Sequence, residues 1–145
     1  MMAWLPKAHV VVPVDFSDES FAAIDTALDL VKTPDSVHVV HVLPELSATE
    51  PGVVWETVDD SSRMDHAEDA LRARLKSESD KYDQIDVAVA IGDPGHEIAE
   101  FASNVDAEVI VLPCHGRTGL KRLLVGSVAE RVVRLAHCPV LVLKD

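Results

Sequence analysis

The sequence predicts an α/β protein built on one doubly wound, open parallel sheet of five strands with helices on both faces. Three observations predict it. Short β-branched apolar runs alternate with helix-period segments along the whole chain, no repeat or linker interrupts that alternation, and a glycine-bearing loop joins a buried-looking strand to a helix. A chain of 145 residues can bury one sizeable core, so a single domain over 1–145 is expected. With 48% hydrophobic and 26% charged residues, the balance is that of a globular chain.

Each element has its own signature. His9 to Val14 is an apolar β-branched run and reads as a buried strand. Ser17 caps a helix over about 18–32, with Phe21, Ile24, Ala27, Leu28 and Val31 on one stripe. Val37 to Leu43 is a second strand, and Met64 to about Tyr82 a highly charged helix whose inward face is Ala67, Leu71 and Leu75. Ile85 to Ile91 alternates as a third strand, followed by a helix from Pro94 to Ser103. Ala107 to Leu112 is the fourth strand, Ser127 to Ala136 the fourth helix, and Val140 to Leu143 the last strand. The Pro44 to Ser62 connection, about 19 residues, is longer than such units need. Its Trp55, flanked by Val53, Val54 and Val58, is placed to close over a ligand, meet a partner subunit, or pack as plain surface.

Charge excludes some functions. The net charge is −12, and residues 1–116 hold 23 acidic against 7 basic side chains, whereas residues 117–145 hold 6 basic and 2 acidic. Overall acidity argues against binding nucleic acid, which needs a basic footprint. The local surplus of Arg117, Lys121, Arg122, Arg131 and Arg134 suits a small anion docked at one place; for Arg131 and Arg134, balancing acidic neighbours on a helix face is the preferred reading. No window approaches the roughly 20 apolar residues of a membrane span. The first residues lack a secretory h-region, so a cytoplasmic protein is expected.

The chemistry concentrates in Pro113-Cys114-His115-Gly116-Arg117-Thr118-Gly119 and the following Gly126-Ser127. Glycine lets a backbone approach a ligand closely, and a helix start at Ser127 offers free N–H groups to an anion. Ser127 to Glu130 also reads as a capping box, with serine as the cap. Both readings stand. Cys114 and Cys138 lie at opposite ends of parallel neighbours, roughly 16 Å apart, too far for a disulfide. Cys114-His115 lacks the further ligands of a metal site, and no metal is expected. His38 and His41 point to opposite faces of their strand. Asp15, His115 and Ser127 share one edge, but no nucleophile elbow accompanies them and no catalytic residue is assigned.

Nine residues separate Gly116 from Gly126, and Ser127 follows at once. This spacing resembles the nucleotide-binding signature of the universal stress protein family, G-x2-G-x9-G-[S/T]. The text HGRTGLKRLLVGSVAERVV, the closing strand 139–143, the opening Val11-Val12-Pro13-Val14-Asp15-Phe16-Ser17 and Gly92-Asp93-Pro94 before Glu97-Ile98 are similar too. Pro113 stands where the signature has its first glycine; it has no N–H and holds Leu112 extended. The resemblance implies a sheet order of 3-2-1-4-5, the adenine nucleotide alpha hydrolase-like arrangement. In that order the ligand crevice lies between strands 1 and 4, where the winding reverses.

In such a crevice Asp15 is placed to accept from a ribose hydroxyl or an adenine amino group, with Pro13, Val14 and Val42 as apolar walls. The N–H groups of Gly116, Ser127 and Val128, with the Ser127 hydroxyl, suit phosphates. By resemblance the ligand is ATP or another adenine nucleotide, with Mg2+ or without, and Leu112, Pro113, His115, Arg117 and Gly126 complete its surroundings. Asp15 has a second reading, as an N-terminal device of the first helix. The resemblance also implies a homodimer formed through the edge strand Val140–Leu143, with a regulatory or stress-response role and at most weak ATPase or autophosphorylation activity. Two alternatives remain: a dimeric interaction module of the same fold that binds no nucleotide, and a phosphorelay receiver using Asp15, Asp93 and Lys144.

Overall fold

The computed structural model describes residues 4–46, 59–113 and 126–143. Its five strands are β1 (Val10–Pro13), β2 (Val37–Leu43), β3 (Asp86–Ile91), β4 (Val109–Pro113) and β5 (Val140–Leu143). Among the described residues there are four α-helices, α1 (Asp18–Leu30), α2 (Asp60–Glu78), α3 (Pro94–Asn104) and α4 (Ser127–Leu135), with short 3-10 turns at Pro34–Ser36 and Asp80–Tyr82. All strand pairs are parallel, in the order β3-β2-β1-β4-β5. Winding runs from β1 out to β3 and then reverses to β4 and β5. Right-handed crossovers therefore put α1 and α2 on one face, α3 and α4 on the other.

Two apolar layers record that division. Val10, Val12, Val37, Val39, Val109 and Val111 pack against Phe21, Ile24 and Ala27 of α1 and Leu71 and Leu75 of α2. Val11, Val40, Ile110 and Leu112 pack against Ile98 and Ala102 of α3 and Ala129 and Val132 of α4. Adjacent residues of a strand thus serve opposite layers, and both faces are covered, which is why the central strands read as unbroken valine runs. Burying one such valine, leucine or isoleucine stabilises the fold by about 1.5–3 kcal/mol. No helix among the described residues is long and apolar enough to cross a membrane.

Several boundaries differ from expectation by one to four residues, and those of α2 and β4 show why. Helix α2 starts at Asp60 rather than Met64, because the Asp59 carboxylate caps it by accepting from Ser62 N–H at 2.7 Å. That first turn is polar and carries no apolar period to read. The helix ends at Glu78; Ser79 is extended, and Tyr82 belongs to a separate 3-10 turn that anchors its hydroxyl on Asp25 at 2.5 Å. Strand β4 starts at Val109 rather than Ala107, since Ala107 N–H still bonds to Ala102 C=O across a turn in which Asp106 has φ of 56°. Pro113, expected in the loop, is the last residue of β4.

Candidate functional site

The carboxyl ends of β1 and β4 flank the point where winding reverses, and the hydrogen-bond ladder explains how they part. Val14 N–H donates to Val40 C=O, so even-numbered residues of β1 bond towards β2, and Val11 and Pro13 are turned towards β4. Ile110 N–H donates to Pro139 C=O, so Ile110 and Leu112 bond towards β5, and Val111 and Pro113 are turned towards β1. Both prolines therefore occupy positions whose N–H would have crossed the β1–β4 gap, and proline has none. The β1–β4 register accordingly ends at Val11 and Ile110, while the β1–β2 register runs on to Pro13. The pairing of β1 with β4 thus stops short of the carboxyl edge as a consequence of two residue types, and that edge is the candidate cleft.

Beyond β1 the chain turns sharply. Phe16 has φ of 67°, a left-handed conformation that favours glycine. Its ring sits 4.8 Å from His41 and 6.1 Å from Phe21, both edge-on, and His41 Nδ1–H donates to Val14 C=O at 2.7 Å. The turn brings Asp15 Oδ1 to accept Ser17 N–H at 3.0 Å. Ser17 in turn caps α1, its side chain accepting from Ser20 N–H. Asp15 is thus part of the device that starts α1 and also a half-buried carboxylate at the cleft's lip. Asp18 and Glu19 in the first turn of α1 make that helix start hostile to another anion.

Helix α4 begins differently. Its N-cap is Gly126, extended at φ −60° and ψ 159°, and no side chain among the described residues caps the helix. Ser127 is the first helical residue, so the capping-box reading is wrong: Gly126 holds the cap position, from which a side chain would accept the N–H groups of the first turn. Glu130, the expected reciprocal partner, instead accepts from Arg134 at 3.0 Å. Gly126, Ser127 and Val128 are all exposed. Among the described residues, no side chain takes the first N–H groups of α4, which lie exposed with the Ser127 hydroxyl at the positive end of the helix.

The remaining candidate residues separate by face. Val14 is 4% exposed, with its side chain in the α1–α2 layer, whereas Val42 is half-buried in the α3–α4 layer. Pro13 has the parity of Val11 and lies on the Val42 side. Leu112 is buried in the same α3–α4 layer, and Pro113 is half-buried at the strand end. His115, Gly116 and Arg117 lie outside the described residues, as do Cys114, Lys144 and Trp55 with its loop. Cys138 is a free thiol, pushed up from its ordinary pKa by burial.

A contact between α3 and α4 had no signal in the sequence. Asp93 caps α3 by accepting from His96 N–H at 3.0 Å, and the same oxygen takes Arg131 Nε–H at 2.6 Å. These two bonds, the backbone one first, hold the Asp93 carboxyl below its ordinary value. Arg131 lies so close over Gly95 that a Cβ there would come within 2.6 Å of its side chain. With Arg134 on Glu130 and Arg131 on Asp93, the cations of α4 balance acidic neighbours. Asp93 is committed to a helix start and an arginine, unlike the acceptor aspartate of a receiver. Elsewhere on α3, His96, Glu97 and Glu100 bring three ligand atoms within 4.8 Å of one another at the surface.

Comparison with known proteins places this geometry. Universal stress protein MJ0531 of Methanocaldococcus jannaschii is 37% identical over 139 residues, spanning 93% of this chain and 81% of its own. The solved structure of MJ0577, from the same organism, superposes with a TM-score of 0.74 at 25% identity, covering 97% of this chain and 98% of its own. The structure of the universal stress protein from Archaeoglobus fulgidus in complex with dAMP superposes with a TM-score of 0.51 at 28% identity, covering 99% and 100%. The universal stress protein family model itself matches residues 8–144, and the chain belongs to that family.

Proposed function

We propose that the chain binds an adenine nucleotide, ATP or a close relative, in the cleft between β1 and β4, and serves as a stress-response or regulatory module with no catalytic role. The observation that carries this reading is the start of α4. Its first N–H groups have no side-chain cap among the described residues, and it follows in sequence the strand end where Pro13 and Pro113 stop the β1–β4 ladder. A family relative 28% identical to this chain was solved in complex with dAMP, a ligand with the purine, sugar and phosphate that such a cleft suits. In this reading the phosphates take Ser127 and Val128 N–H with the Ser127 hydroxyl, Asp15 receives a donor from the sugar or base, and Pro13 and Val42 border the purine.

Isothermal titration of the purified chain with ATP, AMP and dAMP tests it. Micromolar affinity, about −8 kcal/mol, is expected for several such contacts. A flat isotherm, together with no nucleotide retained through purification by mass spectrometry, overturns it.

Pro113 favours a second reading, an interaction module of the same fold without nucleotide, because its ring occupies the cleft edge and offers no N–H. Either way a homodimer through β5 is expected. β5 is the outer strand, all four of its residues are half-buried, and an apolar edge of this kind pairs or must be shielded. Val142→Lys, a charge on that edge, should leave a monomer by light scattering.

A further inference from the structure

The amino edge of the sheet, opposite the cleft, carries a separate cluster. His9 precedes β1, His38 is the second residue of β2, and Asp86 is the first of β3. His9 Nδ1 lies 3.0 Å from His38 Nε2, and His38 Nδ1 lies 2.8 Å from Asp86 Oδ2. The sheet imposes this order, since His38 and Asp86 are register partners and Val10 sits opposite Val37. Phe101 of α3 meets the His38 ring edge-on at 6.4 Å, leaving that side chain 12% exposed against 52% for Asp86. Both histidines are half-buried, and His38 is the one held by Phe101 and Asp86.

A carboxylate can only accept, so His38 carries its hydrogen on Nδ1, and in the neutral ring Nε2 presents a lone pair towards His9. An imidazole oriented through its other nitrogen by a carboxylate is the arrangement that steers histidine onto metals. Zinc–nitrogen bonds of about 2.0–2.1 Å at a tetrahedral angle require the two nitrogens to stand about 3.3 Å apart. The observed 3.0 Å needs an opening of a few tenths of an ångström, together with a turn of each ring by up to roughly 35° that brings both lone pairs from the N–N line onto the metal. We propose that His9 Nδ1 and His38 Nε2 form a binding site for a divalent transition-metal ion of the zinc class, with Asp86 positioning His38. Two imidazole nitrogens select such an ion over calcium or magnesium, which prefer oxygen. On binding, the hydrogen between the rings leaves His9 Nδ1 and returns to His9 Nε2 through solvent, both lone pairs go to the metal, and water fills the remaining positions.

Zinc chloride titrated into the full chain, with the imidazole nitrogens followed by NMR, tests this site. The His9 and His38 signals should shift together and saturate at one equivalent, while those of His96 stay in place. His9→Gln and His38→Gln should each abolish the saturable shift, and Asp86→Asn should weaken affinity about 10–100-fold without abolishing it. Movement of His96 alone would assign the ion to the surface trio His96, Glu97 and Glu100 and overturn the proposal. Unmoved His9 and His38 signals at excess zinc would overturn it equally, and this readout on the unmutated chain needs no variant to fold.

Discussion

Pro13 and Pro113 stand at the ends of adjacent parallel strands, each at the position whose N–H would have bonded to the other strand. The ladder between β1 and β4 stops at Val11 and Ile110, short of the edge that carries the candidate site. Two missing donors thus locate the candidate site more sharply than any polar residue does.

Pro113→Gly removes the ring from the strand end and offers the ligand an N–H there, while Pro13 still leaves the β1–β4 ladder one donor short. If nucleotide binds here, the variant should bind ATP about 2–10-fold tighter, the effect of one net hydrogen bond of about 0.5–1.5 kcal/mol. Glycine in a strand should also lower stability by about 0.5–1 kcal/mol. Calorimetry and a thermal melt read the two effects separately. Unchanged or weaker binding would mean that the ring is not what limits the site.

Ser17 and Ser127 offer a paired comparison. Ser17 caps α1, so Ser17→Ala should cost about 1 kcal/mol of stability. Ser127 is the first helical residue and caps nothing, so Ser127→Ala should change stability by less than about 0.5 kcal/mol. It should nevertheless weaken ATP binding several-fold. Denaturant midpoints and titration of both variants check the contrast.

Gly95→Ala drives a methyl group into the Cβ, Cγ and Cδ of Arg131, all within 2.8 Å of the added atom. Overpacking of this kind typically costs about 1–3 kcal/mol. Arg131→Ala alone should cost much less, and the double variant should recover most of the Gly95→Ala loss, because the clash needs both partners. Additive losses in a double-mutant cycle would contradict the geometry.

Asp93 makes the contact between α3 and α4 sensitive to acid. His96 N–H and then Arg131 lower its pKa in the folded state from the ordinary 3.8. A lowered folded value means that the unfolded chain takes up the proton first. The contribution is therefore full above the ordinary value and lost as pH falls through the lower folded one. Asp93→Ala should be destabilised at neutral pH, and its deficit relative to the parent should shrink as pH drops below about 4. Urea midpoints measured from neutral to strongly acidic pH test the sign.

Much of this was legible in the chain itself. Valine runs and the stripe of Phe21, Ile24 and Ala27 announced strands and helix because each layer buries one parity or one helical face. Ser17 was readable as a cap because capping is a local event. What escaped was either polar or long-range. Asp59 capping α2 left no apolar trace, and Ser127 mimicked a capping box that Gly126 had already displaced by one residue. The Asp93–Arg131 and His9–His38–Asp86 contacts join residues between 29 and 48 positions apart, which only the sheet order brings together. Of the candidate site, the two strand ends and the start of α4 can be placed, while 115–117 lie outside the described residues.

Phe16 has one more consequence. The left-handed backbone of Phe16 is held by a ring wedged between Phe21 and His41, alongside the hydrogen bonds that Asp15 makes with Ser17 and Ser20. The loop bearing Asp15 behaves like a sprung catch. Withdraw either wedge and the peptide should relax towards an ordinary extended path, swinging the acid off the mouth of the cleft without touching a single residue that faces a ligand.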